Sequence, residues 1–415
     1  MYEFSLIFIF FLFLSLFVDI ALLLRNITHI VKRRSQVPDA FKGQIDLDSH
    51  QKAADYTVAR NRISSYELFF GTLLILIWTF GGGLELLDTL WRSLALNGLV
   101  TGVGLLISMA LIASLIELPI SYYKTFKLEQ RFGFNKSTPK LFFTDLIKQS
   151  LLMLVIGAPL AWVALWLMDS AGQYWWLYLW AVWMGFGLLM MWAYPTFIAP
   201  LFNKFEPLEE GELRDRIEAL LERCGFASNG IFIMDGSKRS SHGNAYFTGL
   251  GKQKRIVFFD TLIESLTPEE IEGVLAHELG HFRMHHIPKR ILSSAVISLG
   301  ALALLGWLVS ASWFYSDLGV STPSNHVALA LFMLVSPAFG FFLTPLFSWF
   351  SRKHEYEADD FAAAQSTPEH LISALVKLYK ENASTLTPDP LYSAFHDSHP
   401  PAPLRVAHLS AKISS

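Results

Sequence analysis

Residues 265–310 read SLTPEEIEGVLAHELGHFRMHHIPKRILSSAVISLGALALLGWLVS. A polar segment carrying HELGH runs directly into an apolar stretch long enough to cross a bilayer. Thr267 suits a helix N-cap, Pro268 the first helical position, and Glu270 completes a capping box. Ile271, Val274, Leu275 and Leu279 recur at helical spacing, so HELGH lies inside a helix, about three turns from its start. His277 and His281 are four residues apart and share a face of that helix. Two imidazoles so spaced can hold one metal ion. Glu278 sits one position round, where it can reach a metal-bound water without occupying a coordination position. Two unrelated surface histidines would not require this capped helical setting.

Outward from this stretch the chain is rich in apolar residues. Of its 415 residues 52% are hydrophobic and 17% charged, with 14% aromatic, which excludes an ordinary soluble domain. The net charge of −3 and the lack of a dense basic block give no sign of a nucleic-acid partner. Cys224 is the single cysteine, so any zinc must be held by His and carboxylate groups.

Apolar stretches at 4–24, 66–83, 99–121, 150–168, 174–197, 291–315 and 327–350 predict seven spans. The first has Glu3 and no basic residue ahead of it, and it is too long for a signal peptide. Lys and Arg crowd loops 25–65 and 122–149, segment 198–290 and the tail from 351, whereas 84–98 holds only Arg92 and 169–173 and 316–326 hold none. This alternation puts the N-terminus outside and the basic segments, including HELGH and the C-terminus, on the cytoplasmic side. The expected organisation is spans one to five with their loops (1–197), a protease segment (198–290), spans six and seven (291–350), and a C-terminal segment that completes the metal site (351–415). Within 198–290, residues 207–226 predict an amphipathic helix with Leu213, Ile217, Leu220 and Cys224 on one face. The 230s predict a strand, and NAYFTGLG (244–251) with RIVFFDTL (255–262) a hairpin.

A catalytic zinc needs a third protein ligand and an open position. The metzincin extension is absent, because Met284 and Ile287 stand where Gly and His are required. The sixth and seventh spans should form an antiparallel hairpin, which brings SRKHEYEADDFA (351–362) beside HELGH. Glu355 is the preferred third ligand, because Asp359 lies four residues on and can fix a ligand imidazole. Glu357 is the competitor and His285 a more distant alternative. His285 and His286 otherwise read as polar residues at the membrane edge. Glu117 in the third span lines a water-filled space or sits at the interface, and Asp19 reads as interfacial.

The ordered set HELGH, SRKHEYEAD and FHDSHPPAPLR (395–405) resembles the Ste24-type CaaX prenyl proteases, peptidase family M48. NAYFTGLGKQKRIVFFDTL, YPTFIAPLFNKFEPL and LPISYYKTFKLEQRFGFNKST extend the likeness over nearly the whole chain. The resemblance implies a mainly α, multi-pass membrane protein: seven transmembrane helices and a cytoplasmic gluzincin-like metalloprotease domain with a small β-hairpin or sheet. It implies His277, His281 and Glu355 as ligands of one Zn2+ and Glu278 as catalytic base. Asn244 and Ala245 would lie on the strand that binds the substrate backbone, His399 would stabilise the oxyanion, and Arg405 would orient substrate or its own loop. It further implies a large chamber enclosed by the helices. The absence of long insertions points to a compact prokaryotic form in a bacterial inner membrane. The substrate expected is then a peptide or protein, either with a CaaX-like C-terminus or a misfolded membrane protein.

Two rivals follow from the same residues. A site-2-type protease would place its motif within a span, but Glu272 and the basic cluster at 285–290 flank this one. A transporter with a vestigial metal site would leave Glu278, Glu355 and His399 without a role.

Overall fold

The computed structural model describes residues 3–248 and 253–413. The described chain is mainly helical, with one small sheet. Six helices are long and apolar enough to span a membrane: Glu3–Arg33, Gly98–Phe132, Pro139–Ser170, Gly172–Phe202, His286–Leu308 and Asn325–Gln365. A seventh span is the pair Leu47–Trp78 and Gly83–Ser93, bent by 51°. The bend falls at Gly81-Gly82-Gly83, where Gly82 takes a left-handed φ of 74°. Residues such as Leu6, Phe17, Val155 and Leu292 lie exposed on the outer faces, as lipid contact requires. Between the helices, Phe8, Leu84, Leu105, Leu165, Phe314 and Leu331 close a buried core. Packing, more than a hydrophobic driving force, holds such a bundle together in lipid.

Several expected boundaries move. The sixth span stops at Leu308 instead of running to 315. The chain turns there, and Tyr315 Oη donates to the Val309 carbonyl at 2.8 Å, folding Phe314 and Tyr315 back into the core. Their apolar character serves this cap rather than a longer span. The seventh span begins at Asn325 and continues through a 3₁₀ turn at Phe341–Leu343 into Thr344–Gln365. HEYEAD therefore lies on a rigid continuation of a span. Asp19, expected at the interface, lies 3.2 Å from His396 Nε2 and is largely shielded.

The sheet has strands β1 (Phe205–Pro207), β2 (Ala227–Met234), β3 (Ala245–Thr248) and β4 (Gln253–Phe259), in the order β1-β2-β4-β3. β3 and β4 pair antiparallel as the hairpin requires, and their connection at 249–252 lies outside the described residues. β1, and the parallel pairing of β2 with β4, have no counterpart in the sequence reading. The run 255–262 is strand only to Phe259, and Asp260–Ser265 is helical. The amphipathic helix is Glu212–Cys224, with Ile217 and Leu220 fully buried. These meet Ile256, Phe258, Ile271, Leu275, Leu279, Leu371 and Leu409 in a second core, separate from the one among the spans.

Candidate active site

The HELGH helix is Pro268–Arg283, and its start is fixed by local chemistry. Thr267 Oγ1 accepts from the Glu270 N–H at 3.4 Å, and Glu270 Oε2 accepts from the Thr267 N–H at 2.8 Å. Ser373 Oγ and Lys377 Nζ donate to the same carboxylate at 2.6 and 2.8 Å. Burial works against the charge on Glu270, but Lys377, Ser373 and the Thr267 N–H outweigh it and hold the group below the usual carboxylate range. Ile271, Leu275 and Leu279 are in the core, and His277 and His281 project from another face of the same helix.

The second wall is the helix Thr344–Gln365, which packs directly on the HELGH helix. His277 Nε2 lies 3.4 Å from Glu355 Oε2, and His281 Nε2 lies 3.3 Å from Glu355 Oε1. One ligand atom from each of the three residues fits within 4.8 Å of the others. Glu355 is buried, and its Oε2 makes no hydrogen bond among the described residues. A buried carboxylate with one orphaned oxygen facing the His277 imidazole and its other oxygen facing His281 suits a cation. Bonds of ~2.0–2.1 Å to a tetrahedral zinc put neighbouring ligand atoms roughly 3.3–3.4 Å apart, the separation found here. Glu278 is half-buried beside this set.

Each imidazole is also held from behind. His277 Nδ1 lies 2.8 Å from Asp359 Oδ1. Arg405 is buried and forks onto Asp359, with Nε 2.9 Å from Oδ2 and Nη2 2.5 Å from Oδ1, and its Nη1 lies 3.8 Å from Glu355. Burial and the Arg405 charge press the His277 pKa down, yet the carboxylates of Asp359 and Glu355 prevail and raise it. Burial opposes the charge on Arg405, but the Asp359 pair keeps it firmly cationic. His286, expected at the membrane edge, is instead buried, with Nδ1 2.9 Å from His281 Nδ1 and Nε2 2.9 Å from Glu357 Oε2. Glu357 is thereby turned to His286, away from the three-ligand set. His285 is exposed and belongs to neither group.

His399 lies on the loop after Pro390–His396, with Nε2 3.4 Å from Glu355 Oε1 and Nδ1 2.9 Å from Ser398 Oγ. Burial pushes the imidazole below its ordinary value, against the pull of Glu355. Arg352 fastens this loop by donating to the Ser393, Asp397 and Ala394 carbonyls at 3.2, 2.7 and 3.0 Å. Sequence reasoning missed Arg352 and misread His286, although both stand in the stretches 351–362 and 265–310 that it singled out. Ala245 opens β3, an edge strand, and Asn244 immediately precedes it. The Asn244 carbonyl accepts from Phe259 at 3.0 Å, and Ala245 pairs with Phe258. Phe247 of β3 packs against Phe282, next to His281, at 5.3 Å between ring centres. β3 thus touches the C-terminal end of the HELGH helix.

Glu117 lines a cavity of about 690 Å³ with Tyr56, Arg60, Lys124, Glu129 and His242. Arg60 and Ser64 also line a cavity of about 510 Å³ that reaches His399. The two cavities share Arg60 and Ser64 in their linings.

Residues 26–204 match the family described as "CAAX prenyl protease N-terminal, five membrane helices", and residues 207–413 match peptidase family M48. The chain is 35% identical to CAAX prenyl protease 1 of Saccharomyces cerevisiae, over 88% of this chain and 86% of that protein. It is 34% identical to the Dictyostelium discoideum homologue, over 93% and 92%, and 30% identical to the human homologue, over 90% and 88%. The crystal structure of Ste24p from S. mikatae superposes with a TM-score of 0.91 at 33% identity, covering 99% of both chains. These relatives are eukaryotic.

Proposed function

The chain belongs to the CAAX prenyl protease family of M48 peptidases, which makes it an integral membrane metalloprotease, and on that premise we propose how its residues hydrolyse a peptide bond. The observation that carries the reading is Glu355 set 3.4 and 3.3 Å from the Nε2 atoms of His277 and His281. These three residues would hold one zinc ion. When bound, zinc supplies a Lewis acid that polarises a carbonyl and eases deprotonation of water. Glu278 takes the proton of the attacking water and returns it to the leaving amine. His399, hydrogen-bonded to Ser398, donates from Nε2 to the developing oxyanion. Asn244 and Ala245 present the free edge of β3 to an extended substrate, which binds as an added strand. Asp359 fixes the His277 ring, and Arg405 fixes Asp359 instead of touching substrate.

The substrate we propose is a peptide or protein with a CAAX-type C-terminus, the class named for the relatives. The basic loops support a topology with the metal site and the C-terminus on the cytoplasmic face and the N-terminus outside. The spans with their loops hold and admit substrate, and segments 198–290 and 351–415 together form the catalytic unit. The test is cleavage of a prenylated CAAX peptide by purified protein beside Glu278→Gln. Turnover lost in the variant, with metal retained, supports the proposal. Equal turnover in both would refute the role of Glu278.

A further inference from the structure

The two imidazoles of the metal site are backed differently. His277 meets a carboxylate directly, whereas His281 Nδ1 meets another imidazole, His286, at 2.9 Å. His286 Nε2 in turn lies 2.9 Å from Glu357 Oε2. His286 is 2% exposed and stacks on His354, with ring centres 4.1 Å apart and planes 18° apart. His285 takes a left-handed φ of 58°, which turns the chain so that the next residue folds back beneath His281. Such a backbone is costly for a residue other than glycine, so it marks a position the fold insists on.

The direction of this chain of bonds follows from its end. An ionised carboxylate only accepts, so His286 carries its proton on Nε2 and offers a bare Nδ1. His281 must then carry its own proton on Nδ1 and donate it to His286. The lone pair of His281 is left on Nε2, the nitrogen 3.3 Å from Glu355. We propose that His286 and Glu357 are positioning residues of the metal centre, which select the metal-binding tautomer of His281 and lock its ring. The helix Thr344–Gln365 thus serves both imidazoles: Glu355 and Asp359 on one face, His354 and Glu357 on the next.

This inference rests on the metal site proposed above but not on its substrate. It is tested by zinc affinity, measured by chelator competition on the full-length apoprotein in detergent, with the visible spectrum of the Co2+-loaded protein as a second readout. His286→Leu removes both hydrogen bonds and should weaken zinc binding by roughly 10- to 100-fold and alter the cobalt spectrum. His286→Gln retains an acceptor and a donor and should restore most of the affinity and spectrum. Should His286→Leu fail to fold, Glu357→Leu, at a half-exposed position, should also weaken binding. Unchanged affinity in His286→Leu or Glu357→Leu, or equal loss in His286→Leu and His286→Gln, overturns the proposal. An unvaried chain that binds no zinc overturns it together with the metal site, whereas one that binds zinc but cleaves no peptide overturns only the proposed activity.

Discussion

Gly280 of HELGH and Ala358 of the facing helix touch backbone to backbone, and a Cβ on Gly280 would lie 2.9 Å from the Ala358 Cα. Glu355 and Asp359 lie on either side of Ala358 in the chain, so this contact sets how closely Glu355 approaches the two imidazoles. Gly280→Ala forces the helices apart, and overpacking of this kind costs about 1–3 kcal/mol. The expected result is a lower melting temperature in detergent and a marked loss of bound zinc. Unaltered zinc binding would show that the spacing is set elsewhere.

Arg405 is not replaceable by lysine. Its two nitrogens engage both oxygens of Asp359, a fork that an ammonium cannot reproduce. Arg405→Lys should lower zinc affinity by roughly 10-fold or more, as losses behind a metal ligand commonly do. Arg405→Ala breaks the buried Arg405–Asp359 ion pair, leaving Asp359 with His277 alone, and should also destabilise the fold by about 3–5 kcal/mol. Calorimetry on the apoprotein separates the two effects.

His399→Ala tests the oxyanion contact. Removal of one such donor typically costs roughly 100- to 1,000-fold in kcat. The expected pattern is that loss with KM and zinc content nearly unchanged. A rise in KM alone would assign His399 to substrate binding.

Much of this site was legible because its signals are local. The Thr267–Glu270 box and the spacing of Ile271, Leu275 and Leu279 define the HELGH helix without help from the rest of the chain. Glu355 could be chosen over Glu357 because Asp359 follows it by one helical turn. The structure adds the reason that Glu357 turns away: two residues rotate a helix by ~200°, so Glu357 faces His286. His286 was misread because its neighbours are basic and a span follows, which is also how a membrane edge looks. Only the left-handed turn at His285 brings it inward, and histidine gives no warning of that conformation. The parallel pairing of β2 with β4 and the folding back of Phe314 and Tyr315 depend on contacts distant in the chain, which hydropathy does not encode.

Glu270 gives a prediction in pH. Its folded-state pKa is depressed, so it contributes stability that is present above the unfolded value of ~4.3 and is lost as pH falls through the folded value. Glu270→Gln can still cap the helix but cannot carry this charge. The melting temperatures of the two proteins should differ at pH 7 and converge towards acid pH. A gap that persists at low pH would assign the effect to packing.

The identity of the third ligand is tested most directly by the zinc-to-chain ratio of detergent-purified Glu355→Ala, measured beside the unvaried protein and Glu278→Gln. About one zinc per chain in the unvaried protein and in Glu278→Gln, with loss in Glu355→Ala, is the predicted result. Full zinc occupancy in Glu355→Ala would contradict the assignment on which the mechanism rests.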